Sequence, residues 1–492
     1  MDPAVSEKGT EMAICGGTTT AIHNSPPLSM SVQDASHLCR ASPRWIGLLV
    51  FLLLAVPALV RAQDAVRPSL AGEAASEARR QDVERIPYNL LVGPVRFRIG
   101  ASVGVEYNDN INYAEDGTAI IPSPVGHIVL TTHSEDDVII HPQINFDAIW
   151  PVSQINTLRL DIGVSYAMYL NHSDANTNGL LVAPGSQIAF DFFIGDFRIN
   201  VHDRLSVQQD PIAQAAISNT RDYGRLENYA GLSVLCDLNQ ILLTFGYDHY
   251  NYVSTTSQFD YLNRQAEQVY GSAAYRVTDT FTLGAEGAAV FTYYDNQMVL
   301  SDSITYSAGA FAQIQLTNNL RARVAGGYQW MHFDRDLVVF DLGLPFGIIF
   351  APDEKHVNDF YVNGLITHQI NAAVSQSISV GHEHQLGINS NAITLNYVRY
   401  TVNWKVIRDT LLTTEFFYED ADDSGGFAGF DSNTGLPSGE HLHRYGGALT
   451  IGYQLTPHVT LGLRYQYTNK ESDLVLRDYT QNRVSLDATY SF

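Results

Sequence analysis

A set of arginines recurs at the polar positions of segments in which polar and apolar residues alternate, and several acids share those positions. A period of two sends successive side chains to opposite faces of a β-strand, so these charges share one face. If that face lines a pore, opposed charges set a transverse field and hence selectivity. The alternative is a set of structural ion pairs in a wet interior. The pore-lining candidates are Arg96, Arg98, Glu106, Arg159, Asp161, Arg198, Arg204, Glu286, Arg321, Arg323, Arg464, Arg483 and Asp487.

Two His-x-His motifs, at 382–384 and 441–443, place two imidazoles on one face of a strand, a spacing that could hold a metal ion. In both segments, however, the histidines share the register of the apolar residues, near Tyr445 in the second. We therefore interpret them as side chains at a membrane interface and expect no metal site.

Acidic runs lie in the segments between the strands, for example Glu115-Asp116 and Asp353-Glu354. They could bind calcium, bridge to lipopolysaccharide through divalent ions, or simply carry solvated loop charge. None of them fits the twelve-residue calcium-binding loop.

The chain contains no nucleophile elbow, no His-Glu-x-x-His motif and no phosphate-binding loop. Its net charge of −23 disfavours nucleic acid as a partner. We therefore expect no enzymatic activity, no cofactor and no nucleic-acid partner.

One long apolar run, at 45–60, follows Arg40 and Arg44 and precedes small residues suited to cleavage after Ala62. This order is typical of a secretory signal peptide, which we place at 1–62, with a long n-region unless Met30 is the true start. Residues 63–93 are predicted to form a periplasmic linker. The mature chain then keeps only Cys236 and has no intramolecular disulfide.

From Pro94 onward, alternating segments longer than the strands of most β-sandwiches recur to the C-terminus. Short turns alternate with longer polar loops, except for the tight "INSNA" connection at 388–392. These features predict an all-β fold over 94–492: a closed antiparallel up-and-down transmembrane β-barrel of about 18 strands. The alternation breaks near Tyr397 and Val398, so a bulge there, or a barrel of 16 strands, is the alternative.

A barrel of this width encloses an aqueous channel or a plugged lumen. Too few residues precede the first strand to form a plug, so we expect any constriction to come from the longest loops, 334–357 and 108–135. Tyrosines near the strand ends are predicted to form aromatic girdles at the membrane interfaces. They are Tyr107, Tyr166, Tyr247, Tyr250, Tyr293, Tyr328, Tyr418, Tyr445, Tyr465 and Tyr467.

Two stretches carry a resemblance. "VEYNDNINYAEDG" at 105–117 ends the first strand, and the segment 453–492 forms the closing hairpin. Together they resemble the outer-membrane β-barrel porin families of Gram-negative bacteria, some of which are associated with exopolysaccharide secretion. Asn108 stands where the family usually has Asp. The matching residues are Glu106, Tyr107, Asn108, Asp109, Asn110, Asp478, Tyr479, Asn482 and Phe492.

The favoured function is a porin-like channel in the outer membrane for passive diffusion of small hydrophilic solutes. The alternatives are an accessory barrel for exopolysaccharide export and, least favoured, a barrel-embedded hydrolase. Expected partners are outer-membrane lipid, lipopolysaccharide, the barrel assembly machinery, and a small solute or polysaccharide. The terminal Phe492, with Tyr490 on the same face, resembles the C-terminal signal read by that machinery.

Overall fold

The computed structural model describes residues 88–492 except 124–125, 178, 342, 344–346 and 433. The predicted signal peptide at 1–62 lies outside the described residues, as does most of the predicted linker at 63–93. The described end of that linker forms a short strand, Leu90–Val92, which pairs with the start of the first barrel strand. No helix in the described part of the chain is long and apolar enough to cross a membrane.

Eighteen strands form the wall of the molecule, and we number them β1 to β18 in chain order. They are Val95–Asn108, Asp137–Pro151, Thr157–Ser165 with its continuation Met168–Tyr169, Leu181–Ile194, Phe197–Gln208, Arg225–Asp237, Ile241–Ser254, Arg264–Thr278, Phe281–Tyr294, Ser303–Thr317, Leu320–Phe333, His356–Gln369, Val374–Leu386, Ala392–Ile407, Thr410–Asp423, His441–Thr456, Val459–Ser472 and Tyr479–Ser491.

Each strand pairs antiparallel with the next, and the last closes onto the first. The seam between β1 and β18 runs from Gly100 opposite Ser491 to Asn108 opposite Arg483. Closure gives every strand a partner on both sides, which is what a sheet surrounded by hydrocarbon requires. The predicted closed barrel of about 18 strands is therefore confirmed, and the alternative of 16 is wrong.

The break in alternation near Tyr397 does not mark a bulge. Strand β14 pairs regularly with β13 through this region, and its register with β15 shifts only between Lys405 and Ile407. The pattern changes because the polar Asn396 lies opposite His382, on the face of Val398. A polar residue therefore stands on the otherwise apolar outer face at this point, and the pairing register is unchanged.

The connections differ sharply between the two ends of the barrel. At one end, called the short-turn end, tight turns join the strands, such as 195–196 between β4 and β5 and 318–319 between β10 and β11. At the other, called the long-loop end, three connections carry hairpins and three carry short 3₁₀ helices. The hairpins are Gly117–Ser123 with Gly126–Thr132, Leu337–Asp341 with Ile348–Pro352, and Gly429–Phe430 with Pro437–Ser438.

One face of the wall is apolar and exposed. It presents aliphatic side chains such as Val105, Phe245 and Leu486, and tyrosines such as Tyr107 and Tyr445. Exposed apolar side chains on a closed sheet face lipid, whereas the charged face encloses the lumen. One member of the predicted girdle is wrong: Tyr250 is three residues from the exposed Tyr247, so it falls on the opposite face and is buried in the lumen.

Candidate functional site

The segment 209–224, called the crossing loop, leaves β5 and returns into β6. Its first turn is fixed locally, because Asp210 caps the 3₁₀ helix Pro211–Ala213 and accepts a hydrogen bond from the Ile212 amide at 2.9 Å. Proline at the first helical position is preorganised for such a turn. The chain is thereby turned away from the strand direction immediately after β5.

On one side, the crossing loop packs into an aromatic cluster inside the barrel. Ile217 and Tyr223 join Tyr250, Tyr252 and Phe259. The hydroxyl of Tyr252 donates to that of Tyr223 at 2.8 Å, and the two rings Tyr223 and Phe259 meet edge to face. Burying these rings removes a large apolar area from water and so fixes the near half of the loop.

The aromatic cluster also holds a buried cation. The guanidinium of Arg264 lies 4.3 Å from the centre of the Tyr252 ring and 5.7 Å from that of Tyr294. Its Nη1 donates to the carbonyl of Leu262 at 3.0 Å. Aromatic faces stabilise a desolvated guanidinium, so the cluster is apolar and cationic at once.

On the other side, basic side chains of β16, β18 and the loop 473–478 bind backbone carbonyls of the crossing loop and its capping residue Asp210. Arg444 donates to the Ile212 carbonyl at 2.6 Å, and Arg477 donates to the Ala216 carbonyl at 2.5 Å. Arg483 donates to the Asp210 carboxylate at 2.8 Å. Charge-assisted bonds of this kind are stronger than neutral ones.

These cations are themselves held by buried acids. Glu440 accepts from Lys470 at 2.8 Å and from Arg477 at 2.9 Å, and the side chains of Glu440 and Lys470 are fully buried. Lys470 also donates to the hydroxyl of Ser218 in the crossing loop at 2.9 Å. Although burial alone would raise it, the ion pairs with Arg477 and Lys470 lower the pKa of Glu440 to about 2. The carboxylate is therefore charged at neutral pH.

Asp210 is stabilised as a carboxylate in the same way. Burial opposes its ionisation, but Arg483, the Tyr113 hydroxyl at 2.6 Å and the Ile212 amide together lower its pKa. Tyr113 belongs to the connection between β1 and β2, so this acid ties two loops to the closing strand.

The topology explains why these contacts narrow the lumen. Strands β18, β17 and β16 lie five, six and seven positions away from β5 around the closed ring. A loop that starts on β5 and touches residues of those strands must lie across the mouth of the barrel. The long-loop end is thus narrowed by 209–224.

Of the two loops expected to form the constriction, 108–135 contacts the crossing loop, through Tyr113 and Glu135. The other, 334–357, packs on neighbouring loops. The hairpin 117–132 exposes Ile120 and Val129, and the base of that connection reaches the crossing loop through Tyr113 and Glu135. In the other connection, Phe340 packs on Tyr261 and Phe427 of neighbouring loops. The length of a loop does not determine whether it folds across the barrel. The crossing loop does so because Arg444, Arg477 and Arg483 hold it there.

Eight of the thirteen predicted pore-lining residues form ion pairs along the wall, between strands that are adjacent or next but one. Arg159 and Arg198 share Asp191 at 2.8 and 3.2 Å. The other pairs are Arg98 with Asp147 at 3.8 Å, Arg323 with Glu286 at 3.3 Å, Arg464 with Glu415 at 3.1 Å, and Arg483 with Glu106 at 2.9 Å.

The remaining predicted residues lie on the same wall. Asp161 accepts from Gln187 at 3.0 Å, and Asp487 is close to Ser485 and Gly104. The guanidinium of Arg96 lies 5.6 Å from the Tyr88 ring, Arg204 is half-buried, and Arg321 is exposed near the short-turn end. The ion pairs thus join strands that are adjacent or next but one, as in the alternative of structural ion pairs.

The motif at 106–110 links the first strand to the last by hydrogen bonds at the seam of the barrel. Asp109 accepts from both the backbone and the side-chain amide of Asn482, at 2.6 and 2.7 Å. Asn110 donates to the carbonyls of Ala114 and Thr480, at 2.8 and 3.0 Å. The two stretches that carry the family resemblance therefore meet where the first strand joins the last.

Sequence reasoning missed Arg444, Lys470 and Arg477, which hold the crossing loop. Arg444 could have been found, because it falls between the outward-facing His443 and Tyr445 and so on the inner face. Lys470 and Arg477 sit at a strand end and in a loop, where alternation carries no signal.

Solved structures of outer-membrane porins are similar in overall shape. Pseudomonas aeruginosa OpdK with vanillate has a TM-score of 0.42 at 11% identity, over 80% of this chain and 99% of that one. A BenF-like porin from Pseudomonas fluorescens Pf-5 gives 0.43 at 10%, over 80% and 99%. Acinetobacter baumannii OccAB3 gives 0.41 at 12%, over 80% and 99%. No protein-family model and no curated protein matches the chain.

Proposed function

We propose that the chain is an outer-membrane channel through which small hydrophilic solutes diffuse passively, past a constriction formed by the crossing loop. The observation that supports this most directly is the closed wall of 18 strands, with an apolar outer face and a charged inner face. A wall of this strand number is too wide for its own side chains to fill, so it encloses water. Short turns face the periplasm in such barrels, so the crossing loop lies at the extracellular mouth.

The exopolysaccharide alternative receives less support. A polymer passage would be favoured by aromatic rings available for stacking along the lumen. The rings gathered inside the long-loop end, Tyr223, Tyr250, Tyr252, Phe259 and Tyr294, are all buried against the crossing loop or one another. They stabilise the constriction and offer no open surface to a sugar chain.

We also propose that the channel is only weakly selective for the charge of the solute. The wall pairs neutralise one another locally, so we expect a channel of weak preference between small anions and cations. Solute size, set by the crossing loop, would be the stronger filter.

The test is conductance of the purified, folded barrel in planar bilayers, with potassium chloride and then with salts of larger organic ions. We expect discrete steps of conductance that fall as the ions grow. A heat-modifiable, fully folded barrel that inserts without conductance would contradict the channel.

The C-terminus is proposed to serve as the assembly signal. Phe492 packs edge to face on Tyr490, whose ring stacks on His458 at the short-turn end. Deletion of Phe492 should leave the protein exported but poorly inserted, as followed by heat-modifiable mobility of outer-membrane fractions. Insertion at the normal level would exclude this role.

A further inference from the structure

The motif His382–Glu383–His384 lies where the barrel wall opens between two strands. The ladder between β12 and β13 ends at Val362 opposite His382. Beyond that point β12 pairs only with β11, and β13 pairs only with β14. The side chains of Asp359, from β12, and of His382 and His384, from β13, converge at this notch.

The tautomer of His382 is fixed by its neighbours. Its Nδ1 lies 2.7 Å from the side-chain oxygen of Asn396, and the amide group of Asn396 donates to Asp420 at 3.1 Å. Because the amide nitrogen must face the carboxylate, the amide oxygen faces His382, and Nδ1 must carry the proton. The lone pair of the neutral imidazole is therefore on Nε2.

His384 is held in the same manner and is almost completely buried, with 3% of its surface exposed. Its Nδ1 lies 2.9 Å from the hydroxyl of Thr394. No hydrogen bond among the described residues reaches the Nε2 atom of either histidine. A buried ring nitrogen without a partner is costly, so this arrangement needs an explanation.

The three ligand atoms have the spacing of a metal site rather than of hydrogen bonds. Oδ2 of Asp359 is 4.0 Å from Nε2 of His382 and 3.8 Å from Nε2 of His384. All three atoms lie within 4.8 Å of one another. Hydrogen bonds are shorter than this, whereas two ligands of one tetrahedral zinc ion are separated by about 3.4 Å. The two carboxylate distances would have to shorten by about 0.4–0.6 Å, and the distance between the two imidazole nitrogens by at most about 1.4 Å, for all three atoms to bind one ion.

We propose that Asp359, His382 and His384 bind a divalent transition-metal ion, with Zn²⁺ as the best fit to two imidazoles and one carboxylate. A water molecule would complete the tetrahedron. Asn396 and Thr394 act as positioning residues, since metal-ligating imidazoles are oriented through their second nitrogen. The bound ion would clip β12 to β13 where their backbone ladder is missing.

The chain offers a matched control. Asp420, His441 and His443, on β15 and β16, form a second group with ligand atoms equally close. Here Nδ1 of His443 already contacts Asp420 at 3.0 Å and the hydroxyl of Tyr418 at 3.2 Å. The side chain of His441 is 45% exposed, so water can satisfy it. An ordinary ion pair accounts for this group, and it needs no metal.

The experiment measures Zn²⁺ binding to the folded, metal-stripped barrel by competition with a chromophoric chelator, and records the visible spectrum with Co²⁺. We expect one tight site per chain and the intense visible bands of tetrahedral Co²⁺. His384→Gln should abolish both, and Thr394→Val should weaken Zn²⁺ about tenfold. The double variant His441→Gln with His443→Gln should bind as the unaltered chain does.

If His384→Gln does not fold, Asp359→Asn replaces it, because the carboxylate is 46% exposed and its loss leaves the wall intact. Heat-modifiable mobility verifies folding of every variant. No Zn²⁺ binding, binding unchanged by the altered Asp359 or His384, or binding lost only in the His441–His443 variant would each overturn the proposal. Conductance is independent of this result.

Discussion

Ion pairs in the two halves of the lumen serve different ends. At the short-turn half they join strands that are adjacent or next but one, as Arg464 and Glu415 do with side chains 40% and 33% exposed. At the long-loop half Arg483 pairs with Asp210 of the crossing loop at 2.8 Å. The fully buried pair of Lys470 and Glu440 there holds the ammonium that donates to Ser218 of the same loop. The same residue types therefore connect strands of the wall at one end of the barrel and hold the crossing loop across the opening at the other.

Burial decides which of these pairs matter for stability. Exposed ion pairs contribute little to the free energy of unfolding, because water and salt screen the two charges. Breaking a buried pair leaves an uncompensated charge out of water, which is strongly unfavourable. The fully buried Lys470–Glu440 pair should therefore matter more for stability than the partly exposed Arg464–Glu415 pair.

The largest effect on transport is expected when residues 211–222 are replaced by a short Gly-Ser linker. The mouth would lose its crossing loop, and conductance should rise several-fold with little change in ion preference. The matched control replaces the hairpin 117–132 in the same way, since its exposed residues take no part in the constriction. Equal conductance of both variants would remove the crossing loop from the account.

Glu440→Gln should have the largest effect on stability. It leaves Lys470 and Arg477 without their carboxylate and should lower the free energy of unfolding by about 3–5 kcal/mol. Glu415→Gln breaks an exposed pair and should change it by about 0–1 kcal/mol. Urea unfolding in detergent, followed by tryptophan fluorescence, measures both. Similar losses in the two variants would contradict the distinction between buried and exposed pairs.

Acid should open the mouth. The pKa values of Glu440 and Asp210 are depressed in the folded state, that of Glu440 from 4.5 to about 2. Their contribution to stability is therefore complete above their usual pKa values and is lost as pH falls through the folded ones. We expect steady conductance from neutral pH to about pH 4.5 and a rise toward pH 2.

In Glu440→Gln, the part of this transition that depends on Glu440 should be absent. A rise that begins near neutral pH would point to other groups.

The smallest effect is expected from Glu415→Lys. Placed beside Arg464, the new cation adds charge to the wall of the wide half and should shift the permeability ratio modestly toward anions. Because the Debye length is about 10 Å at 0.1 M salt, the shift should fade as salt rises. Reversal potentials across a salt gradient provide the measurement. A large, salt-independent change would mean that the wide half also filters charge.

The sequence predicts the wall well and the mouth poorly. Alternation locates strands such as β1 and β18 and their seam, because a lipid face and a wet face impose a strict period of two. The crossing loop escapes prediction because its anchors include the carbonyls of Ile212 and Ala216, which carry no side-chain signal. Tyr250 lies on the inner face although it is near a loop, because an odd spacing of three residues separates it from the outward Tyr247.

The most direct test of a wide short-turn half and a narrow long-loop mouth is one-sided polymer exclusion on oriented single channels. A biotin on Ile120→Cys, at the exposed hairpin, reports through streptavidin which side is the long-loop end. Polyethylene glycols of increasing size are then added to one side at a time. Intermediate polymers should reduce conductance when added at the short-turn side and not at the long-loop side. The same size cut-off from both sides would contradict the account.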